Sequence, residues 1–144
     1  MDQVRIGESM TPPREVPCWD LYFYELAVQA STRSKDPSTH HGSVIVNSNK
    51  RVLSTGYNGG CRKINDRAID WSRPAKYPFI VHSETNAILY ADRKDLEGAT
   101  IYITGRPCSR CSLLIAHVGI STVVFGGTES VMVDEEDWKI STTI

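Results

Sequence analysis

Apolar residues recur along the chain with two different periods, and the changes of period predict its secondary structure. From Trp19 to Arg33 they repeat at helical spacing, with Asp20 in the first turn, where the helix dipole favours an acid. Two β-branched runs joined by a short polar segment predict a hairpin over residues 42–57. Residues 61–78 show no clear period and predict a long loop with room for one short helical turn. Loops of this length are often functional.

The second half of the chain alternates between helices and strands. The pattern predicts a second helix from about His82 to Arg93, a strand over 99–105, a third helix from Pro107 or Cys108 to Gly119, and a strand over 122–127. Residues 131–140 are compatible with an extra strand, a helix or an interface arm. This alternation requires parallel crossovers, so the predicted fold class is α/β, a three-layer αβα arrangement with a central mixed sheet of about five strands.

Length and charge narrow the classes of function. The 144 residues fit one domain, with residues 1–17 as an irregular, proline-containing leader and residues 18–144 as the domain proper. The formal net charge of -1 lacks the basic excess expected of a polynucleotide-binding domain, which favours a small or singly phosphorylated substrate. Neither a membrane-length apolar run of ~18 residues nor a signal-peptide pattern is present, so we expect no membrane association and a cytoplasmic protein.

Four side chains at the starts of the second and third helices carry the candidate chemistry. His82 and Glu84 open one helix, and Cys108 and Cys111 open the next. One imidazole and two thiolates suit zinc and leave its fourth tetrahedral position open for a water molecule, whose pKa zinc lowers to about 7. Glu84, two positions from a ligand, is then placed to carry a proton from that water to a leaving nitrogen.

Other interpretations of these residues remain. An H-x-E triplet is common by chance, and a C-x-x-C pair is also typical of redox sites or of half a structural zinc site. A structural site needs a fourth ligand, for which the candidates are Cys18, Cys61, His40, His41 and His117. Order and spacing together favour a catalytic site. Cys18 and Cys61 could form a second zinc site with His40 or His41, but their spacing favours isolated thiols.

The segments around these residues resemble the zinc-dependent cytidine deaminase superfamily, whose signature is H-x-E followed by P-C-x-x-C. Within it the chain is more similar to the deoxycytidylate (dCMP) deaminase family. The similar segments, in order, are WDLYF, RSKDPSTHHGSVIVN, VLSTGYNGG, KYPFIVHSETNAI and GRPCSRCSLLIAHVGI. The resemblance runs from Trp19 to about Gly127.

This resemblance implies a reaction and a catalytic centre. The reaction is the hydrolytic deamination of dCMP to dUMP, in which zinc hydroxide attacks C4 and ammonia leaves, supplying dUMP for thymidylate synthesis. His82, Cys108 and Cys111 would bind one catalytic Zn²⁺ per subunit, and Glu84 would be the proton shuttle. Ser34, Lys35 and Asn58 match segments that lie near nucleotide sites in the family. Arg93, on the second helix, is a further candidate for substrate contact.

The resemblance also implies regulation and assembly. The family's members include hexamers that dCTP activates and dTTP inhibits, with Mg²⁺ accompanying a triphosphate, so we expect a homo-oligomer and favour a hexamer. Two features depart from the family. Ser83 stands where alanine is common, and Gly60–Lys63 replaces a proline-glycine segment, which leaves allostery open. The short part after Gly127 suits a phage-encoded member acting in the host cytoplasm.

Alternative functions remain at this point. A cytidine deaminase or a tRNA adenosine deaminase would retain the same zinc signature, although the near-neutral charge weakens the case for tRNA. A structural zinc-binding module without catalysis would not need Glu84.

Overall fold

The structure is a computed structural model and describes residues 10–126 and 129–132. Residues 10–18 adopt no regular secondary structure. In the described residues, the α-helices are α1 (Trp19–Ser31), α2 (Ser83–Tyr90) and α3 (Ser109–His117). The strands are β1 (Gly42–Val46), β2 (Val52–Tyr57), β3 (Gly59–Gly60), β4 (Ile80–Val81), β5 (Thr100–Ile103), β6 (Thr122–Phe125) and β7 (Glu129–Met132). None of the described helices has the length and apolar character needed to cross a bilayer.

The main sheet has five strands in the order β2-β1-β5-β6-β7. Strand β1 pairs antiparallel with both β2 and β5, β5 and β6 are parallel, and β6 pairs antiparallel with β7. The predicted hairpin, the predicted parallel crossover through α3 and the mixed sheet are therefore confirmed. Residues 131–140 were compatible with a strand, a helix or an interface arm. The start of this segment is a strand, because β7 includes Val131 and Met132. Residues 133–140 lie outside the described part of the chain.

Helices cover both faces of this sheet. Successive side chains of β1 point to opposite faces, and all five of its residues are buried. Val44 and Val46 pack in a cluster with Phe23 of α1. Ile45 packs on the other face in a cluster that includes Ala87 of α2 and Ile115 of α3. Strands buried on both faces are typical of three-layer folds, and the predicted αβα arrangement is confirmed.

Two glycines allow helices α1 and α2 to lie directly on the hairpin formed by β1 and β2. A β-carbon added at Gly42 would collide with the backbone oxygen of Ala27 in α1. One added at Gly56 would collide with the backbone of Ser83 and Ala87 in α2. Any side chain at Gly56 would therefore push α2 away from the sheet. The position of the amino-terminal end of α2 relative to β2 depends on this contact.

The predicted end of the second helix was wrong. Helix α2 ends at Tyr90, because Ala91 takes an extended conformation with ψ of 156°, and Arg93–Asp95 forms a separate 3-10 turn. The predicted helix was therefore three residues too long at this end. The backbone instead leaves the helix and places Leu96 in the core, where it is fully buried.

The long loop between β3 and β4 contains two 3-10 turns, Asp66–Ala68 and Tyr77–Phe79, rather than one. A buried ion pair attaches it to the rest of the domain. The ammonium group of Lys76 donates to both carboxylate oxygens of Asp36, at 2.8 Å each, and to the hydroxyl of Ser38 at 2.7 Å. Lys76 and Asp36 are only 3% and 2% exposed.

The Asp36–Lys76 pair predicts a specific acid sensitivity. Burial by itself raises the pKa of Asp36, but hydrogen bonds from Lys76, Ser38 and Thr39 outweigh it and lower the pKa from 3.8 to about 2. A carboxyl group with a lowered folded-state pKa stabilises the fold above its unfolded pKa and loses that contribution as the pH falls through the folded value. We therefore expect Asp36 to contribute about 2 kcal/mol that is lost between roughly pH 4 and pH 2.

Lys76→Met should reduce the free energy of unfolding at pH 7 by about 3–5 kcal/mol, because it leaves a buried carboxylate without its cation. The free energy of unfolding of this variant should also fall less than that of the wild type between pH 4 and pH 2. Lys35→Met is the matched control, since Lys35 pairs with Asp66 at a similar 2.7 Å but the two side chains are 67% and 37% exposed. An exposed pair of this kind is worth at most about 1 kcal/mol. Urea unfolding at pH 7 and pH 3 measures both effects, and equal losses in the two variants would contradict the prediction.

Candidate metal centre and active site

Three predicted metal ligands converge at the amino-terminal ends of α2 and α3. His82 is the N-cap residue of α2, Cys108 is the N-cap residue of α3, and Cys111 lies in the first turn of α3. Their ligand atoms all lie within 4.8 Å of one another. His82 Nδ1 is 3.5 Å from Cys108 Sγ and 3.3 Å from Cys111 Sγ. Around tetrahedral zinc, bonds of about 2.0 Å to nitrogen and 2.3 Å to sulfur place those atoms roughly 3.5 Å apart, so this geometry fits Zn²⁺.

The surroundings of Cys111 also suit a bound cation. Burial raises the pKa of the Cys111 thiol, and Glu84 and Cys108 raise it further. A reactive redox thiol needs a lowered pKa, which these surroundings do not give Cys111. A coordinated divalent metal reverses the effect, because a thiol bound to it is deprotonated outright.

The group contains no fourth protein ligand in the part of the chain that the structure describes. The additional candidates for a closed structural site, Cys18, Cys61, His40, His41 and His117, do not join it. Structural zinc sites normally have four protein ligands, whereas a three-ligand site leaves one position for water. The arrangement therefore favours catalysis. Cys18 and Cys61 are free thiols, exposed and half-buried respectively.

Glu84 lies beside the ligands in the first turn of α2. It is 5% exposed, and its carboxylate oxygen Oε1 accepts a hydrogen bond of 2.5 Å from the hydroxyl of Ser83. The hydroxyl of Ser43, on β1, lies 3.5 Å from the same oxygen. Glu84 thus lies within the same helix end as His82 and is held by neighbouring polar groups.

A cavity of about 380 Å³ is lined by His82, Cys108 and Glu84, and its volume is in the size range of small-ligand sites. Glu84 is the only carboxylate among its described lining residues. Three cationic side chains line it as well, but the ammonium group of Lys76 is taken up by Asp36 and Ser38. Its other lining residues include Thr39, His41, Asn58, Arg73, Tyr77, Ile103 and Arg106.

The two arginines lie at this cavity with few competing partners. Arg73 donates to the hydroxyl of Thr39 at 2.6 Å. The guanidinium carbon of Arg106 is 5.6 Å from the ring centroid of Phe125, so the aromatic face holds this exposed cation in place. Neither arginine was predicted from the sequence to be a site residue. Two signals pointed toward them, since Arg106 directly precedes the P-C-x-x-C motif and Arg73 lies in the long loop.

The four predicted substrate residues occupy different places. Asn58 lines the cavity, but its amide accepts from His41 N at 2.8 Å and donates to Thr39 O at 2.9 Å, which fixes the cavity wall. Ser34 donates to the backbone oxygen of Asn58 at 2.7 Å, behind that wall. Asn58 is therefore a wall residue of the cavity, and Ser34 is not among the cavity's described lining residues.

Lys35 and Arg93 are not among the described lining residues of the cavity beside the candidate metal ligands. Lys35 is paired with Asp66 and lines a second cavity of about 290 Å³. Arg93 donates to the backbone oxygen of Val118 at 3.2 Å, next to the end of α3. Nearness in sequence to a motif did not place these cations beside the metal ligands.

Comparison with known proteins gives a consistent set of similarities. Residues 17–127 match the family model described as the cytidine and deoxycytidylate deaminase zinc-binding region. The chain is 37% identical over 113 residues to human deoxycytidylate deaminase, covering 74% of this chain but only 64% of the human protein. It is 43% identical over 122 residues to deoxycytidylate deaminase of Mycobacterium phage D29, covering 76% of this chain and 94% of the phage protein.

Among solved structures, the fold is similar to that of dCMP deaminase from the cyanophage S-TIM5 in complex with dCMP and dUMP. The TM-score is 0.63 at 24% sequence identity, over 72% of this chain and 77% of the cyanophage chain. At this identity the similarity concerns the fold alone.

Proposed function

The chain belongs to the cytidine and deoxycytidylate deaminase family, and we propose that it is a zinc-dependent enzyme that hydrolyses dCMP to dUMP and ammonia. One observation carries the proposal: two residues of a three-ligand zinc arrangement, His82 and Cys108, line one cavity of nucleotide size together with the acid residue Glu84. The absence of a fourth ligand among the described residues supports catalysis over a structural role. The proteins named as dCMP deaminases among the relatives support the choice of substrate.

His82, Cys108 and Cys111 would bind the zinc, which supplies Lewis-acid activation of a water molecule. Glu84 would accept a proton from that water as the water oxygen adds to C4 of cytosine, and would pass this proton to the ring nitrogen N3. The second proton of the added water would then pass through the same carboxylate to the amino group, which leaves as ammonia while the carbonyl group forms at C4. The proton count closes because the two protons of water end on N3 and on ammonia, and Glu84 is left as it began.

We assign the recognition of the substrate phosphate to Arg106 and Arg73. Both line the cavity, whereas Lys76 has its donors committed to Asp36 and Ser38. Guanidinium groups suit phosphate because they can donate two parallel hydrogen bonds. Asn58 and Ser34 would act as supports that hold the wall formed by Thr39 and His41.

We assign nucleotide effectors to the second cavity, where Lys35 lies. Its lining combines cations for phosphates with aromatic rings for a base, and includes Lys35, Arg62, Tyr57, Trp71 and Tyr90. The strand end that separates the two cavities contributes Asn58 to one and Tyr57 to the other. Binding of dCTP or dTTP, with Mg²⁺ on the triphosphate, could thus favour different positions of one shared wall. Assembly as a homo-hexamer and residence in the cytoplasm remain parts of this proposal.

The substrate assignment predicts that dCMP is deaminated with at least ~10²-fold higher kcat/KM than deoxycytidine. Hydrogen bonds to a charged group are worth about 1.5–3 kcal/mol each, and losing 2.7 kcal/mol of transition-state binding lowers the rate about 10²-fold. Arg106→Ala should lower kcat/KM for dCMP by about tenfold or more and barely affect deoxycytidine. Arg51→Ala, at an exposed arginine of the hairpin turn, is the control.

Ammonia release from dCMP, CMP, deoxycytidine and a tRNA anticodon stem-loop measures this preference, with and without dCTP or dTTP. Equal kcat/KM values for dCMP and deoxycytidine, or activity confined to the RNA, would refute the dCMP assignment. If the dependence of the rate on dCMP concentration did not change with either triphosphate, only the effector assignment would be refuted.

A further inference from the structure

Two buried serines form a hydrogen-bonded chain that ends on the Glu84 carboxylate. Ser43 is fully buried on β1, and Ser83, 1% exposed, is the first residue of α2. Their hydroxyl oxygens are 2.7 Å apart, although forty positions separate them in sequence. The hydroxyl of Ser83 then lies 2.5 Å from Glu84 Oε1. The chain thus connects strand β1 to the proposed proton carrier.

The direction of these hydrogen bonds follows from the chemistry of the groups. An ionised carboxylate can only accept, so Ser83 donates its proton to Oε1. The Ser83 oxygen is then free to accept, and Ser43 donates to it. Ser43 also lies 3.5 Å from Oε1, at the outer limit of a hydrogen bond. Buried chains of this kind polarise one another and hold one arrangement.

We infer that Ser43 and Ser83 are positioning residues that hold Glu84 by Oε1 and so direct proton transfer to Oε2. The inference rests on the proposed deaminase function. Both serine contacts lie on Oε1, so Oε2 is the oxygen that neither serine occupies. Oε2 takes the two protons of the attacking water in turn and releases one to ring nitrogen N3 and the other to the leaving nitrogen. The hydroxyl protons of the two serines stay where they are throughout.

The placement of Ser43 separates this role from substrate binding. Ser83 lines the cavity beside the candidate metal ligands, but Ser43 is not among its described lining residues. A substitution at Ser43 therefore reaches the reaction only through Ser83 and Glu84. It should alter the rate of the chemical step and leave the binding of dCMP unchanged, because misplacing a catalytic group lowers kcat.

The test uses the zinc-loaded full chain with Ser43→Ala, Ser83→Ala and the double variant. We expect kcat for dCMP to fall about tenfold or more in Ser83→Ala and about threefold to tenfold in Ser43→Ala, with KM within twofold and zinc content unchanged. The double variant should resemble Ser83→Ala alone, because Ser43 acts through Ser83. Ser54→Ala is the control, since Ser54 is a buried serine on β2 whose described hydrogen bond is to the backbone oxygen of Thr55.

Unfolding in urea provides a readout that needs no substrate. The effects of the two single substitutions on the unfolding equilibrium constant should fail to multiply in the double variant, by a factor of about five or more. If the two substitutions changed the unfolding equilibrium constant independently, the two serines would not form a coupled chain. This result would overturn the inference even if the wild-type protein failed to act on dCMP. Loss of stability with kcat within twofold of wild type would show that the serines are structural and overturn the positioning role. Absence of dCMP deamination by wild-type protein would refute the proposed function, while the unfolding cycle still decides whether the chain exists.

Discussion

Glu84→Gln is expected to lower kcat for dCMP by at least ~10²–10⁴-fold, the range attributed to general acid–base catalysis. Glutamine keeps the length of the side chain and an oxygen that can accept the hydrogen bond from Ser83. It cannot take a proton from water at neutral pH, so the proton transfer fails while the packing around α2 is preserved. Because Glu84 is not among the three converging ligands, the variant should retain its zinc.

Steady-state kinetics together with metal analysis of the same preparation measure this outcome. Glu25→Gln, on the exposed side of α1, is the matched control and should leave kcat unchanged. A near-normal rate in Glu84→Gln would remove this residue from the mechanism. A low rate accompanied by lost zinc would instead make Glu84 a metal-holding residue.

Cys108→Ser and Cys111→Ser should each lose both zinc and activity. A neutral hydroxyl group is a poor substitute for a thiolate, and two of the three protein ligands are sulfur atoms. The substitution should be more damaging to the protein at Cys111 than at Cys108. Cys111 is only 4% exposed, and a buried serine hydroxyl there also needs a new hydrogen-bond partner.

The other two cysteines supply the controls for this experiment. Cys18→Ser and Cys61→Ser remove free thiols that lie outside the ligand group, so both variants should keep about one zinc per chain. Zinc is measured by mass spectrometry of the metal after exhaustive dialysis. Full zinc occupancy in both Cys108→Ser and Cys111→Ser would mean that the ligands have been assigned incorrectly.

The sequence predicted the elements around the metal ligands well because their signals are local. Pro107 and the two cysteines marked the start of a helix, and Cys108 is indeed the N-cap residue of α3, accepting from the backbone N–H of Cys111 at 3.4 Å. Gly119 marked its end, and its positive φ of 89° fits a residue just beyond a helix. The parallel pairing of β5 and β6 followed from the helix between them.

Contacts between distant segments left no such local signal. Lys35 was predicted to be a substrate-binding residue from the segment in which it lies. The buried ion pair is instead formed by the neighbouring Asp36 and the distant Lys76. The interaction joins positions forty residues apart, and no periodicity reports it. For the same reason the serine chain to Glu84 was not foreseen. Ser83 was noted only as a small residue replacing another.

The contact at Gly56 has a consequence for how this active site could change during evolution. Since α2 lies directly on that glycine, a larger residue there would move His82 and Glu84 together. Substitutions at this position of β2 are therefore not expected to change the cavity in small steps. Arg106 is an exposed lining residue of the cavity and is held by an aromatic face rather than by a buried network. We therefore expect divergence toward new substrates to involve exposed lining residues such as Arg106 more readily than the amino-terminal end of α2.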